Sequence, residues 1–296
     1  MRIIYASDIH ASSNHLFSML SIAEREAVDG IVIGGDIVPH YLPDADKIGV
    51  LQAQARYLEN VFIRAIKEFK KRQKAAIYLD LSNDDFIGNR GILENHNGEL
   101  IHLLHMSKHK LNDDSDIIGY MNVPPTPFYR KDWEKPDSAA TPFAKGNYIR
   151  LDGYTSASGK LNKTIIDLSS NDTIENDLAQ LSELVDKPFI FVSHSPPYLT
   201  QLDILDNGLH VGSISVRRFI EKWSRKGKII AALHGHIHGS PNRSGSIHTF
   251  IENAICINPG QNEGQGSTLR YLVFELDDRQ APPPIRIIYP PEKYFA

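Results

Sequence analysis

The chain has 296 residues, 41% of them hydrophobic, which is enough to bury a large core as one large domain or two small ones. A formal net charge of -4 argues against a broad nucleic-acid-binding field, and a single cysteine, Cys256, excludes intrachain disulfides and thiolate metal clusters, so any metal must be held by nitrogen and oxygen. No stretch approaches the about 18 consecutive apolar residues of a membrane span. The start MRIIYASDIH lacks the basic and small-residue marks of a signal peptide, so a cytoplasmic protein is expected.

In chain order, Arg2 to Ala6 and Ile31 to Ile33 are short apolar runs that end in polar loops and read as buried parallel strands. Between them Leu16, Met19, Leu20, Ile22 and Ala23 recur at helical spacing, which predicts a crossover helix and a βαβ unit. A longer amphipathic helix is predicted over 49–72, then a strand from Ala76 to Leu79. Residues 106–147, rich in Pro, Asp and Lys, show no sustained period and read as a loop-rich insertion. Their aromatic residues Tyr120, Phe128, Tyr129, Trp133 and Phe143 favour an ordered flap on the substrate side.

The alternation resumes with helices around 173–185 and 216–226 and strands at Phe189 to Val192 and Ile229 to Leu233. Four shorter strands follow, at Ile247 to Ile251, Ala254 to Ile257, Leu269 to Leu276 and Ile285 to Ile288, separated by Gly, Pro and Asn as in antiparallel hairpins. The whole pattern predicts a single α/β domain over 1–296, with a mixed sheet or two packed sheets and functional residues just past the carboxyl ends of strands.

Five polar clusters each follow an apolar run: Asp8-Ile9-His10, Gly34-Gly35-Asp36, Ser82-Asn83-Asp84-Asp85, His194, and Gly235-His236-Ile237-His238. Together they make an oxygen and nitrogen ligand set for two cations. Asp36 has two oxygens and can bridge both, Asn83 offers a neutral carbonyl, and His194 adds an imidazole. Such a set suits manganese first, with iron, zinc, cobalt or nickel as alternatives to the oxygen-seeking magnesium and calcium. Cations about 3.5 to 4 Å apart can share a water, lower its pKa and clamp phosphoryl oxygens during an in-line displacement.

The ordered set D-x-H, G-G-D, an Asn-containing element, a later His and G-H-x-H resembles the calcineurin-like metallophosphoesterase superfamily over essentially residues 1–260. That resemblance implies two packed mixed β-sheets flanked by helices, an αββα sandwich. It implies a first metal on Asp8, His10, Asp36 and His238, a second on Asp36, Asn83, His194 and His236, and hydrolysis of a phosphate ester or anhydride by a metal-bridging hydroxide. One departure stands out: Ser82-Asn83-Asp84 occupies the place of the family's Gly-Asn-His, so the histidine credited with protonating the leaving oxygen is missing. Either the substrate has a good leaving group, with Asp84 orienting water or the leaving group, or another histidine, His210, enters from a loop.

The segment Asp206 to Ser213 opens a helix carrying Arg217 and Arg218 and resembles a bacterial and archaeal subgroup with Asn-Asp-Asp at this element. Ser213 and Arg217 there are candidate substrate-binding residues, because free amides at a helix start favour an anion; an ordinary helix cap with solvated arginines is the alternative. Pro125 to Phe128 and Lys131 to Glu134 are candidates for lining the pocket. His234 is expected to support the G-H-x-H pair, and Asn258-Pro259-Gly260 to shape a turn. The expected partner is a small phosphorylated substrate, a nucleotide among the options, with a homo-oligomer left open and neither membrane nor nucleic acid expected. A non-catalytic interaction scaffold of the same fold and a nuclease are the competing readings.

Overall fold

The computed structural model describes residues 1–40, 47–144, 146, 148–264, 266–277 and 285–289. The rest of the expected 1–296 domain, including positions 145 and 147 of the expected insertion, lies outside the described residues. The first half lays down β1 (Arg2–Ala6), α1 (Ser13–Arg25), β2 (Gly30–Ile33), α2 (Lys47–Tyr57), α3 (Ile63–Lys70), β3 (Ala76–Leu79), α4 (Arg90–Glu94) and β4 (His102–Leu103). Ser12 starts α1 by accepting the His15 backbone N–H on its hydroxyl, and Leu16, Met19, Leu20 and Ala23 form the buried stripe.

The long helix expected over 49–72 is two helices joined by a π turn at Leu58–Phe62. Leu58, Phe62, Ile66 and Phe69 all face the core. Spacings of four drift by about 40° per step at 3.6 residues per turn, and a wider turn takes up part of that drift.

The second half supplies β5 (Ser107–Lys110), β6 (Asp116–Tyr120), β7 (Asp152–Thr155), β8 (Asn162–Ile165), α5 (Ile174–Leu181), β9 (Phe189–Ser193), α6 (Ile214–Arg225), β10 (Ile229–Leu233), α7 (Ser240–Ser244), β11 (His248–Ile251), β12 (Ala254–Ile257), β13 (Leu272–Leu276) and β14 (Ile285–Tyr289). One expectation needs correction here. The stretch read as an insertion from 106 begins with β5 and β6, which are integral to a sheet, and the real excursion starts after Tyr120 and carries the β7–β8 hairpin. Ile117, Ile118 and Tyr120 gave too short a run to register as a strand.

Two six-stranded sheets result, ordered β14-β13-β1-β2-β3-β4 and β11-β12-β10-β9-β6-β5. β1 to β4 are parallel, as are β6, β9, β10 and β12, and the antiparallel strands lie toward the edges. On β9, Ile190 and Val192 join the core shared with the first sheet, whereas Phe189 and Phe191 pack in a second core with Phe219 and Trp223 of α6 and Leu178 of α5. Period-two alternation thus gives this sheet a sheet on one face and helices on the other, the middle of an αββα sandwich.

Candidate metal centre and cleft

The parallel strands of both sheets deliver their polar loops to one place. The loops after β1 and β2 are laced together by Asp8 N–H to Gly35 O (3.1 Å), His10 N–H to Asp36 O (2.9 Å) and Ala11 N–H to Ile37 O (2.8 Å). The buried Asp85 carboxylate ties the loops after β2 and β3, accepting the N–H groups of Ile37, Val38 and Ser82. Gln54 of α2 bonds Pro39 O, Asp84 O and Phe86 N–H across the same seam.

Four of the candidate ligands, Asp8, His10, Asp36 and His236, sit at positive φ (59°, 46°, 51° and 67°), a conformation that non-glycine residues adopt only where their surroundings impose it. Gly235 is required for a different reason. A Cβ there would lie 2.0 Å from Ser7 Oγ and 2.6 Å from Asp8 Oδ2, so the β10 loop reaches the β1 loop only without a side chain.

Asp8, His10, Asp36 and His238 place one donor atom each within 4.8 Å of one another, a group able to hold a metal ion. His238 Nε2 is 3.0 Å from Asp8 Oδ1 and 3.2 Å from His10 Nε2. Two imidazole nitrogens so close can both present lone pairs only toward a shared cation or proton. Asp36 reaches the other residues too: its Oδ2 is 3.3 Å from His194 Nε2, while its Oδ1 accepts the Asp84 N–H at 3.0 Å.

His194 donates from Nδ1 to Gly34 O (2.7 Å), which aims Nε2 into the centre. The His194 and His236 rings are 5.3 Å apart between centroids. Asp8 Oδ2, Asn83 Oδ1 and His194 Nε2 are buried without hydrogen-bond partners, the mark of donors kept for a ligand. The residues present therefore fit divalent cations.

The electrostatics agree. Burial opposes the charge on His194, yet Asp36, Asp8 and the Gly34 carbonyl together lift the imidazole to about 9; Asp8 and Glu263 likewise raise His238 despite its burial. Burial works against ionised Asp8 and Asp36 as well, but the facing histidines hold both carboxyls below their ordinary range. Burial pushes His10 and His236 down to about 4, which leaves them neutral and ready to ligate. His234, pushed to about 4 by burial, keeps its Nδ1 on Ser193 O and Ser195 O and braces the loop that carries His194. Asn258 shapes the turn after β10 by donating to Gly235 O and Ile237 O and accepting the Gly260 N–H.

Three further residues singled out in the sequence are held away from the centre. His210 Nδ1 is bound to Asp203 Oδ1 at 2.7 Å, and while Leu209 and Val211 line the cleft, His210 between them does not. Ser213 caps α6 through the Val216 N–H and donates its own hydroxyl to Asp137, whose carboxylate also takes the Ile214 and Ser215 N–H groups. The helix start expected to seat a substrate anion is thus filled by the chain's own carboxylate. Arg217 bonds Glu221 and the carbonyls of Tyr198 and Leu199. The structure assigns none of the three to the cleft.

That cleft, of about 670 Å³, is bordered by Asp36, Asn83, Asp84, His236 and His238 at its polar end. Pro125 to Phe128 form part of its wall, as expected, whereas Lys131, Trp133 and Glu134 lie behind it as buried supports. Lys131 Nζ meets Glu134 Oε2 at 2.8 Å, and Glu134 accepts the Thr126 N–H and hydroxyl, which fixes the wall. Three contributors went unnoticed in the sequence. Arg130 pairs with Asp84, Glu263 Oε1 sits 2.6 Å from His238 Nδ1, and His40 packs edge-on against His10, forming with His10 and Asp84 a second close group. Glu263 follows the Asn-Pro-Gly turn closely enough that the turn was its signal; Arg130 and His40 had none.

Known proteins resemble this architecture and its sequence. An uncharacterized protein of Methanocaldococcus jannaschii is 37% identical over 105 residues, 34% of this chain and 45% of that protein, so the match spans less than half the relative's length. A solved crystal structure superposes with a TM-score of 0.60 over 97% of this chain and 98% of that one at 16% identity. A dimetal phosphatase from Danio rerio superposes with a TM-score of 0.52 over 94% and 93% at 9% identity, a likeness of fold. The calcineurin-like phosphoesterase model matches residues 1–240, and with the strand-end ligands in the order described, the chain belongs to that family.

Proposed function

We propose that the chain is a dinuclear-metal phosphoesterase that hydrolyses a phosphate ester or anhydride with a good leaving group. The observation that carries this reading is the Asp36 carboxylate, whose Oδ2 lies between two groups of imidazoles, 4.0 Å from His10 Nε2 and 3.3 Å from His194 Nε2. By this reading Asp8, His10, Asp36 and His238 hold one cation, and Asp36, Asn83, His194 and His236 the other. The mixed imidazole and oxygen set favours manganese, with iron, zinc, cobalt or nickel as alternatives. Bound there, divalent cations supply Lewis acidity toward phosphoryl oxygens and a water acidic enough to act near neutral pH.

The chain's own residues do the rest. Glu263 fixes the His238 ring, Asp85 and Gln54 fix the loop bearing Asn83 and Asp84, and Asp84 orients groups at the cleft floor. Pro125, Phe128, Tyr129, Leu205 and Leu209 give the cleft an apolar flank. This suits an aryl or nucleoside group more than a free inorganic anhydride.

The test is turnover by purified protein with manganese against aryl phosphates, aryl phosphodiesters, cyclic nucleotides and dinucleotide anhydrides, with Asp36→Ala as control. Metal-dependent hydrolysis of at least one class, lost in the control, is expected. Two metals by elemental analysis with no turnover of any class would replace the enzyme by a metal-bearing scaffold.

A further inference from the structure

Arg130 comes from the excursion after β6, far in sequence from every ligand, and ends 4% exposed at the cleft floor. Its Nη2 donates to Asp84 Oδ1, and its Nη1 to His40 O (3.0 Å) and Tyr129 Oη (2.9 Å). Its Nε–H is buried with no partner. A guanidinium carries five N–H donors, and these bonds use three, so Nε–H and one Nη2 hydrogen are left over. Burying an arginine with donors unspent is unfavourable unless something else accepts from them.

Asp84 sharpens the point. Its backbone N–H is bonded to Asp36, so its carboxylate stands one residue from the ligand set and would repel an incoming phosphoryl anion. Arg130 cancels that charge. Burial opposes the guanidinium's charge, but Asp84, with Tyr129 and Asp36, raises its pKa. An arginine cannot serve as a proton donor near neutral pH, so whatever it does for a departing group it does by charge and hydrogen bonding.

Resting on the phosphoesterase reading, we propose that Arg130 is a catalytic residue whose guanidinium, seated on Asp84, receives the leaving-group oxygen as its bond to phosphorus breaks. The water oxygen forms the new bond to phosphorus and its proton passes to solvent. The old P–O bond breaks with its electron pair on the leaving oxygen, which departs as an oxyanion held by the spare N–H groups and is protonated afterwards by water. The enzyme then acts best on esters whose alcohols are already acidic.

The experiment uses the metal-loaded full chain, with Arg130→Met and Arg130→Lys, on a series of aryl phosphates of increasing phenol pKa. Metal content and melting temperature are measured in parallel. Arg130→Met is expected to lose about 10²- to 10³-fold in kcat/KM on the poorest leaving group and distinctly less on the best, so that the dependence on leaving-group pKa steepens, with metal content unchanged. Arg130→Lys, which keeps a charge but not the fork, is expected to fall between. It reads the same slope should the Met variant fail to fold. A loss of equal size across the series, or one that tracks lost metal, would make Arg130 a brace for Asp84 and overturn the proposal. Absence of turnover in the wild-type protein with both metals bound would instead overturn the parent reading and this one with it.

Discussion

The strand-end cradle and the excursion wall meet at the same cleft but are built differently. Cradle loops are short, sit at the ends of parallel strands, and are fastened to one another through backbone bonds and the buried Asp85. The wall after β6 has little regular structure beyond the β7–β8 hairpin and is fixed by the buried pair of Lys131 with Glu134 and by half-buried bonds of Asp132 with Ser156 and the Ile87 N–H. Ligand positions therefore come from the sheets, whereas the shape offered to the rest of a substrate comes from a segment that reaches the cradle through side chains, Arg130 on Asp84 and Asp132 on the Ile87 N–H.

Replacing the shared carboxylate separates the two regions most sharply. Asp36→Asn is expected to lower metal-dependent turnover by at least about 10³-fold, comparable to removing a principal transition-state-stabilising group, and elemental analysis should show loss from both metal positions. Retention of both metals would mean that Asp36 does not join the two halves.

On the wall, Lys131→Met removes one partner of a pair whose side chains are at most 1% exposed and should destabilise the fold by about 3 kcal/mol at pH 8 in denaturant unfolding. Burial has already lifted Glu134 to about 7, above its ordinary 4.5. A raised carboxyl contributes stability that is complete below 4.5 and lost as pH climbs through 7, so the variant should recover as pH falls from 8 to 6. A deficit independent of pH would show that Glu134 stays charged.

A smaller effect tests the cradle's rim. Glu263→Gln leaves His238 in place but weakens its orienting partner, and metal affinity should drop about 10- to 100-fold in a chelator competition titration. Smaller still is the proton linkage. Because Asp36 and Asp8 raise His194 and His238, a cation must displace protons from them. Calorimetry in buffers of different ionisation enthalpy should show net proton release on binding, and below the raised histidine pKa values affinity should fall by about tenfold for each unit that pH is lowered, per proton displaced. Binding without proton release would place the metal elsewhere.

How much was legible followed from what each region is made of. Ligands at strand ends showed as Asp8, Asp36 and His236 each following an apolar run, because a parallel strand must be apolar and its loop polar. β6 was missed because Ile117 and Ile118 are hemmed in by Asp116 and Gly119, and it is pairing with β5 and β9 that makes the segment a strand. The π turn in the second helical segment carries no composition of its own. Arg130 is unremarkable in sequence. Its significance arises from folding, which sets it on Asp84 across 46 residues. Ser213 and Arg217 misled for the converse reason: a capped helix start reads as an anion seat until the internal carboxylate, Asp137, is seen in it.

That plug ties two distant parts of the chain together. With Asp137 buried at the opening turn of α6 and accepting the Ile214 and Ser215 N–H groups, the amides that could draw an outside anion are already engaged. The start of α6 thus leans on a carboxylate 77 positions earlier in the chain, so displacing the excursion there would strand these amides.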